Sequence, residues 1–427
     1  MSSQPAPAFD LFNVYFERLY DPTMHLLLAF DGEVDEAVLK KATLRLLGSN
    51  PYLRSRFAEE EEGMPCWEEI AEEEWERAFV ILPPGEHLRP PAPLDVRRGP
   101  QVRVSLARQE DGDRIVVTCH HGFCDAKGII DLARRLFEVY REIKEDPDFR
   151  PAPLGWYDRG TERVLAQFTA EEIKQARDEE EPFVDRWRFP IVRQGRGTPR
   201  IAHRTLSPDR LRQAKEFGRR HGATVNDIMI AAFFLAHLKI RDDPSDLGAP
   251  RSILTSADLR RHLDHPEACP PMNLSVAYEV TLTAGEGTGL EDIIDQVTAV
   301  TKRRKADGLG IGCILFYDEI YAGGMPGVRA FFDEMIRRYE ETGLKNPVFS
   351  NIGVLDAAEF LPVDGKDGHP LDLRNLCFLP CVCWPYGFLI SLSTFRESMT
   401  IVTGYEKGPY SEDMVERFLD AVVGYLP

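Results

Sequence analysis

The stretch "TCHHGFCDAKG", Thr118–Gly128, sets two adjacent histidines, and an aspartate four residues after the second, where an apolar run ends and a helical pattern begins. Upstream, "QVRVSLA" alternates Val102, Val104 and Leu106 with Arg103 and Ser105, while "RIVVTC" is continuously apolar. The two predict a hairpin turning at "EDGD", with the second strand lying deeper. Downstream, Ile129, Leu132, Ala133, Leu136, Phe137 and Tyr140 recur at helical spacing,. The quoted stretch therefore reads as a strand-to-helix loop, a place where a rigid strand can present a side chain to a cleft. A histidine with a pKa near 6.5 is neutral and able to accept a proton at physiological pH, so His121 has the chemistry of a general base. Hydrogen-bonded packing at a strand end is the alternative reading of the same residues.

The surrounding chain bounds what such a loop can belong to. With 427 residues, 43% of them hydrophobic, it has the material for a large core in two or more domains,. A formal charge of -18 argues against nucleic acid as a partner, because that affinity comes from neutralising phosphates with Lys and Arg,. "MSSQPAPAF" has neither the positive flank nor the apolar core of an export signal, and the longest strongly apolar stretch, Ile228–Leu238, is short for a membrane span and interrupted by His237,. A cytoplasmic location without a membrane span is expected. The eight cysteines lack regular spacing and read as reduced thiols,. Cys377, Cys381 and Cys383 cluster in "CFLPCVC", where Cys381 and Cys383 alternate on a predicted strand and read as facing the core, and His262, His265 and Cys269 read as parts of a loop, so no metal is expected at either place,. "DGLGIGC", Asp307–Cys313, lacks the lysine and hydroxyl of a phosphate loop and reads as a turn,.

Along the chain, "DGEVDEAVLKKATLRLLGSNP" predicts a helix that packs through Val38, Leu39, Ala42, Leu46 and Leu47 and stops at the Asn-Pro pair,. Glu59–Glu62 read as a solvated acidic surface, and "LRPPAPLDVRRGP" as a connection,. Residues 147–198, rich in Pro, Gly and Trp with a charge run at Asp178–Glu181, read as a linker containing a short helix. The boundary falls within it, giving lobes over residues 1–180 and 181–427. In the second half, "SPDRLRQAKEFGRRHG" has a cap-and-proline start and a glycine stop, and Thr224 caps a helix that is apolar nearly all round,. Near the end, "GFLISLSTFRESMTIVTGY" alternates about a turn at "RES", and Ser411 with two acids opens an amphipathic helix,. Hairpin then helix thus occurs in both halves, but only the first carries the His-Asp loop.

"HHGFCDAKG", with "PLDVRRGPQVRVSLA" before it, resembles the HHxxxD(G) signature of the coenzyme A-dependent acyltransferase superfamily, which includes chloramphenicol acetyltransferase, condensation domains, and alcohol and polyketide-associated acyltransferases. The resemblance runs through the chain in order, with "ATVNDIMIAAF", "SADLRRHL" and "SNIG" similar to later motifs. It implies an α/β fold of two chloramphenicol acetyltransferase-like subdomains, each a mixed β-sheet packed with helices, with an active-site channel between them. It further implies that His121 is the general base, that His120 supports the loop, and that Asp125 is structural and pairs with Arg260, with Arg261 as the fallback. Asn351 is expected near the channel. A hydroxyl of Ser391, Ser393 or Thr394, or a backbone N–H, is the kind of donor an oxyanion requires.

The chain departs from the signature at Ala126 and Lys127, and it has no DFGWG motif, which disfavours the plant branch in favour of free-standing condensation-like and alcohol acyltransferase branches. There is no GxSxG elbow,. A covalent route through Cys119 or Cys124 stays open beside direct transfer. The implied reaction moves an acyl group from acyl-CoA or a phosphopantetheinyl thioester on a carrier protein to a small alcohol or amine, with no permanently bound cofactor. The second reading is a noncatalytic condensation-like domain that binds a carrier protein.

Overall fold

The computed structural model describes residues 2–59, 63–83, 92–180, 183–306, 308–385 and 387–427. Glu60–Glu62 of the acidic stretch, the first part of the Pro-rich connection, Glu181 and Asp307 lie outside the described residues. Two mixed sheets organise the rest. The first has five strands in the order Leu373–Leu379, Thr23–Phe30, Arg114–His120, Val102–Ala107 and Phe79–Leu82. The expected hairpin is present, with Val104 opposite Val117 and Leu106 opposite Ile115. Arg114–His120 lies between two strands, so its residues are buried almost throughout.

The helix that follows, Ala126–Glu145, carries its apolar stripe against this sheet and against the helix Glu36–Ser49, which Asp35 caps by accepting from Val38 N at 3.1 Å. The second sheet runs Ser275–Leu282, Arg251–Asp258, Val348–Leu355, Leu389–Phe395, Ser398–Lys407, with Thr198–Leu206 also paired to the last of these. Its closing hairpin turns through Arg396 and Glu397 at φ 46° and 64°, the left-handed pair that a two-residue connection between right-twisted strands requires,. The helices Pro208–His221 and Val225–Ile240 start at Ser207 and Thr224 as expected, and the second is buried along most of its length. The linker holds two short helices, Glu162–Leu165 and Ala170–Asp178.

The two cores do not follow the chain as uninterrupted blocks over 1–180 and 181–427. Phe9 and Val164 belong to the C-terminal core, while Met325, Phe332, Leu373 and Phe378 belong to the N-terminal one. Two strands cross over. Leu373–Leu379 completes the first sheet by pairing with Thr23–Phe30, and Tyr20–Asp21 pairs with Val382–Cys383 at the edge of the second. These exchanges stitch the lobes together.

Three histidines are buried as neutral rings. His25 Nδ1 lies 2.9 Å from Thr118 Oγ1, His120 Nδ1 accepts from Gly122 N at 3.0 Å, and the His237 ring packs 4.7 Å from that of Trp187. Burial drives each pKa down to about 3. In the unfolded chain they titrate near 6.5, so below that pH the unfolded state binds more protons and the native state loses stability as pH falls toward 3. The expected result is a urea midpoint that declines between pH 7 and pH 5, before the carboxylates titrate, at up to about 1.4 kcal/mol per pH unit for each histidine. A midpoint that stays flat over this window would contradict the neutral burial, and His237→Phe should reduce the slope.

Candidate active site

Asp125 is where the His-Asp loop meets the second lobe. Its Oδ1 accepts from Gly128 N at 2.9 Å, capping the helix Ala126–Glu145, and from Arg260 Nη2 at 3.2 Å. Its Oδ2 accepts from Arg260 Nη1 and from Leu274 N, both at 2.8 Å. Both oxygens are thus doubly occupied, and none of these bonds involves His121, so Asp125 holds the loop and does not orient the imidazole. The Asp125 and Arg260 side chains are each 3% exposed. Burial alone would raise the carboxyl pKa, but the Arg260 guanidinium and the two backbone N–H groups outweigh it and hold Asp125 below the ordinary carboxylate range,. The pairing selects Arg260 over Arg261, which is exposed. Arg260 also donates to Asp258 Oδ1 at 3.1 Å and to Met272 O at 2.8 Å.

The two histidines face different surroundings. His120 is buried at the edge of a cavity of about 660 Å³ that also meets Asp21, Arg196 and Trp384. Arg196 stacks 3.6 Å over the Trp384 ring and pairs with the buried Glu406. His121 lines a second cavity of about 360 Å³ between the lobes. Tyr20 borders both. His121 Nδ1 is buried without a partner, which leaves Nε2 as the ring nitrogen able to meet a ligand. Burial lowers the His121 pKa from 6.5, while its own carbonyl, Asp125 and Asn273 pull the other way without prevailing. The imidazole is therefore neutral at physiological pH. Between the histidines and the helix, a Cβ on Gly122 would lie 2.3 Å from Val14 Cγ2, so a side chain there would force the buried Val14 to move.

The cavity walls are mainly apolar. Phe12, Phe16, Met24 and Phe378 come from the side of the first sheet, and Leu254 and Val276 stand on strands of the second. Asn351 lines the cavity and donates to Asn226 Oδ1 at 3.0 Å. The serine candidates separate. Ser391 lines the cavity with a buried Oγ that has no partner, whereas Ser393 lies outside the lining and its Oγ accepts from Phe378 N at 3.4 Å. Cys381 and Cys383 are buried as expected, but the core they face is this cavity wall, and burial pushes the Cys383 thiol up to about 12. Cys119 and Cys124 are fully buried away from the cavity, and burial, followed by the contact with Cys119, raises the Cys124 thiol far from the thiolate a nucleophile requires,.

His262 Nε2 lies 3.0 Å from Leu309 O, and among the described residues no group of three or more His, Cys, Asp or Glu could hold a metal ion. Gly310, at φ 91°, opens the helix Ile311–Ala322 out of the glycine-rich turn. Among the described residues, no single helix is long and apolar enough to cross a membrane.

A second buried network, not anticipated from the sequence, lies behind the loop. Asp10 and Arg159 pair at 2.7 Å with side chains 0% and 1% exposed. Trp67 Nε1 and Asn273 Nδ2 also donate to Asp10, at 2.9 and 3.1 Å. Arg159 reaches Pro271 O at 3.0 Å and Phe123 O, so the network grips the loop backbone. The signal in the sequence is a single charged residue in the mainly apolar "AFDLFNVY"; a charge buried there has to find a partner.

Removing one member of the clamp leaves a buried charge uncompensated. Arg260→Met is expected to destabilise the chain by about 3–5 kcal/mol, against less than about 0.5 kcal/mol for Arg261→Met. The double change Asp125→Asn with Arg260→Met should cost less than Arg260→Met alone. Chemical unfolding of the variants checks this, and equal effects at positions 260 and 261 would contradict the assignment.

No protein-family model matches the chain. It is 23% identical over 326 residues, 72% of its own length and 76% of the relative's, to phthiocerol/phthiodiolone dimycocerosyl transferase of Mycobacterium tuberculosis and Mycobacterium bovis. Its structure is similar to that of trichothecene 15-O-acetyltransferase from Fusarium sporotrichioides, with a TM-score of 0.69, 15% identity, and coverage of 99% of this chain and 94% of the other. It is also similar to the first condensation domain of the CDA synthetase, with a TM-score of 0.66, 18% identity, and coverage of 100% and 96%. Two lobes built on mixed sheets, joined by exchanged strands around a central cavity, are thus the chloramphenicol acetyltransferase-like fold of condensation domains and acetyltransferases, and this chain has that fold.

Proposed function

We propose that the chain is an acyltransferase that moves an acyl group from a thioester to a hydroxyl or amine, with His121 as general base. The observation that carries this reading is a neutral imidazole with one buried ring nitrogen and one free one, lining a cavity between lobes that a buried ion pair locks together. The acyltransferase and condensation-domain relatives support acyl transfer in general.

In the proposed reaction His121 Nε2 takes the proton from the acceptor O–H or N–H as that atom attacks the thioester carbonyl. The carbonyl electron pair moves onto oxygen, and the Ser391 hydroxyl, unpartnered in the free protein, donates to the oxyanion so formed,. When the intermediate collapses, the C–S bond breaks and the proton on His121 passes to the thiolate, releasing the free thiol with the ester or amide. No group on the protein is consumed. The apolar walls suit the acyl portion, and the formal charge of -18 mildly disfavours docking to an acidic carrier protein without deciding between the two donors,.

The test is acceptor-dependent thiol release from acyl-coenzyme A donors of increasing chain length with pooled alcohols and amines. His121→Ala should lose roughly 10²- to 10⁴-fold in kcat, and Ser391→Ala should lose roughly 10- to 10³-fold, both at unchanged melting temperature. Because the base has to be unprotonated and its pKa is depressed, kcat/KM should be flat at neutral pH and fall on the acid side of 6.5,. Equal rates in wild type and His121→Ala would overturn the mechanism. Silence with every soluble donor, together with binding of a loaded carrier protein, would favour the noncatalytic condensation-like role.

A further inference from the structure

Asn273 sits at the junction of both buried networks. Its chain neighbours are pinned by the clamp, since Met272 O accepts from Arg260 Nη2 and Leu274 N donates to Asp125 Oδ2, each at 2.8 Å. Its side chain is 1% exposed. Nδ2 donates to Asp10 Oδ1 at 3.1 Å and to Gly122 O at 3.2 Å. Both partners are acceptors only, so the amide cannot be turned over: NH2 has to face them, and Oδ1 has to face the other way. That Oδ1 is buried without a partner. One peptide from Gly122, His121 Nδ1 is also buried without a partner. A buried acceptor and a buried ring nitrogen, both unsatisfied and on adjoining groups, are each costly alone and complementary together.

We propose that Asn273 is the positioning residue for His121, its Oδ1 accepting the Nδ1 proton, so that a chain from Arg159 through Asp10 and Asn273 fixes both the ring orientation and the tautomer that leaves Nε2 free as the base. The catalytic meaning of this rests on the acyltransferase reading; the hydrogen bond itself does not. The other acceptor in reach of Nδ1 is the carbonyl of His121 itself, and the electrostatic balance assigns to both that carbonyl and Asn273 a stabilising effect on the protonated ring. Around His121 the ionisable groups are His120 beside it, Asp125, Arg260 and Asp258 at the clamp, and Asp10 and Arg159 behind the loop. Tyr20, Tyr317, Lys127, Lys345, Cys381 and Cys383 stand along the cavity walls. Of these groups only Asp10 is bonded to the Asn273 side chain, and it keeps Arg159 and Trp67 as partners when position 273 changes, so a shift in the His121 midpoint reports the amide.

The experiment is a pH titration of the histidine ring nitrogens by NMR on the full-length protein with labelled histidine, the His121 signals being identified by their loss in His121→Gln. In wild type, the Nδ1–H tautomer is expected. In Asn273→Ala, loss of the acceptor destabilises the protonated ring, so the midpoint should move to lower pH. In the same variant kcat should fall about 10- to 100-fold with KM little changed, and the acid limb of the rate profile should move with the midpoint. Asn273→Leu, which restores the volume, is read in the same way if the alanine variant does not fold. An Nε2–H tautomer in wild type overturns the proposal outright. A midpoint unchanged in the variant overturns it too and assigns the proton to the backbone carbonyl. Because the titration needs no turnover, the hydrogen bond is tested even if no acyl donor reacts, and that second failure would count against the acyltransferase reading alone.

Discussion

A bidentate ion pair between Asp125 and Arg260, closed to solvent, is the constraint on which the rest depends. It joins positions 135 residues apart and belongs to both lobes at once. Ion pairs removed from water contribute little net stability relative to apolar residues of the same shape, but they tolerate no alternative geometry, because either partner alone would be a buried charge. Here the intolerance has a use. The aspartate caps the helix after the loop, receives a backbone N–H from the second lobe and leaves no acceptor for His121. The carboxylate is thus the fastening of the loop that carries His121, the structural part that the family resemblance implies for it.

With the loop fixed, adjacent histidines acquire different properties without any difference in chemistry. His120 is spent on its own loop, accepting the Gly122 N–H, and burial makes it too weak a base to titrate near neutrality. His121 turns toward the cavity between the lobes and stays unprotonated at neutral pH while keeping one nitrogen free. The cavity is bordered by apolar side chains from both lobes, and in the proposed reaction the same packing would exclude water and shape the acyl site,. The strand exchanges reinforce this arrangement. Leu373–Leu379 and Tyr20–Asp21 each leave their own half of the chain to pair in the other sheet, so the lobes cannot separate without breaking sheet hydrogen bonds.

Much of this was legible in the sequence because the signals are local. Period-2 alternation followed by helical spacing found the strand, loop and helix around the histidines, and Ser207, Thr224 and Ser411 announced their helices by capping chemistry. Arg260 and its pairing with Asp125 came from the family resemblance, and the structure adds the bidentate geometry and the choice of Arg260 over Arg261. What could not be read depends on distance along the chain. The pairing of Leu373–Leu379 with Thr23–Phe30 joins segments more than 300 residues apart, and nothing local marks it,. The Asp10–Arg159 and Asp10–Asn273 contacts close over 149 and 263 residues, and no local spacing encodes them. Ser391 and Ser393 share one face of one strand, and only the position of Phe378 shows that the first meets the cavity while the second is covered.

The central claim is that the thioester carbon is attacked beside His121, within the cavity that the clamp holds in shape. Its most direct test is a structure of the protein with an unreactive amide analogue of an acyl-pantetheine, in which nitrogen replaces the thioester sulfur and the carbonyl is kept. The account predicts the acyl chain against Phe12, Phe16 and Phe378, with the carbonyl oxygen within hydrogen-bond distance of Ser391 Oγ and space for an acceptor atom at His121 Nε2. An analogue bound elsewhere, or bound with its carbonyl out of reach of both side chains, would contradict it.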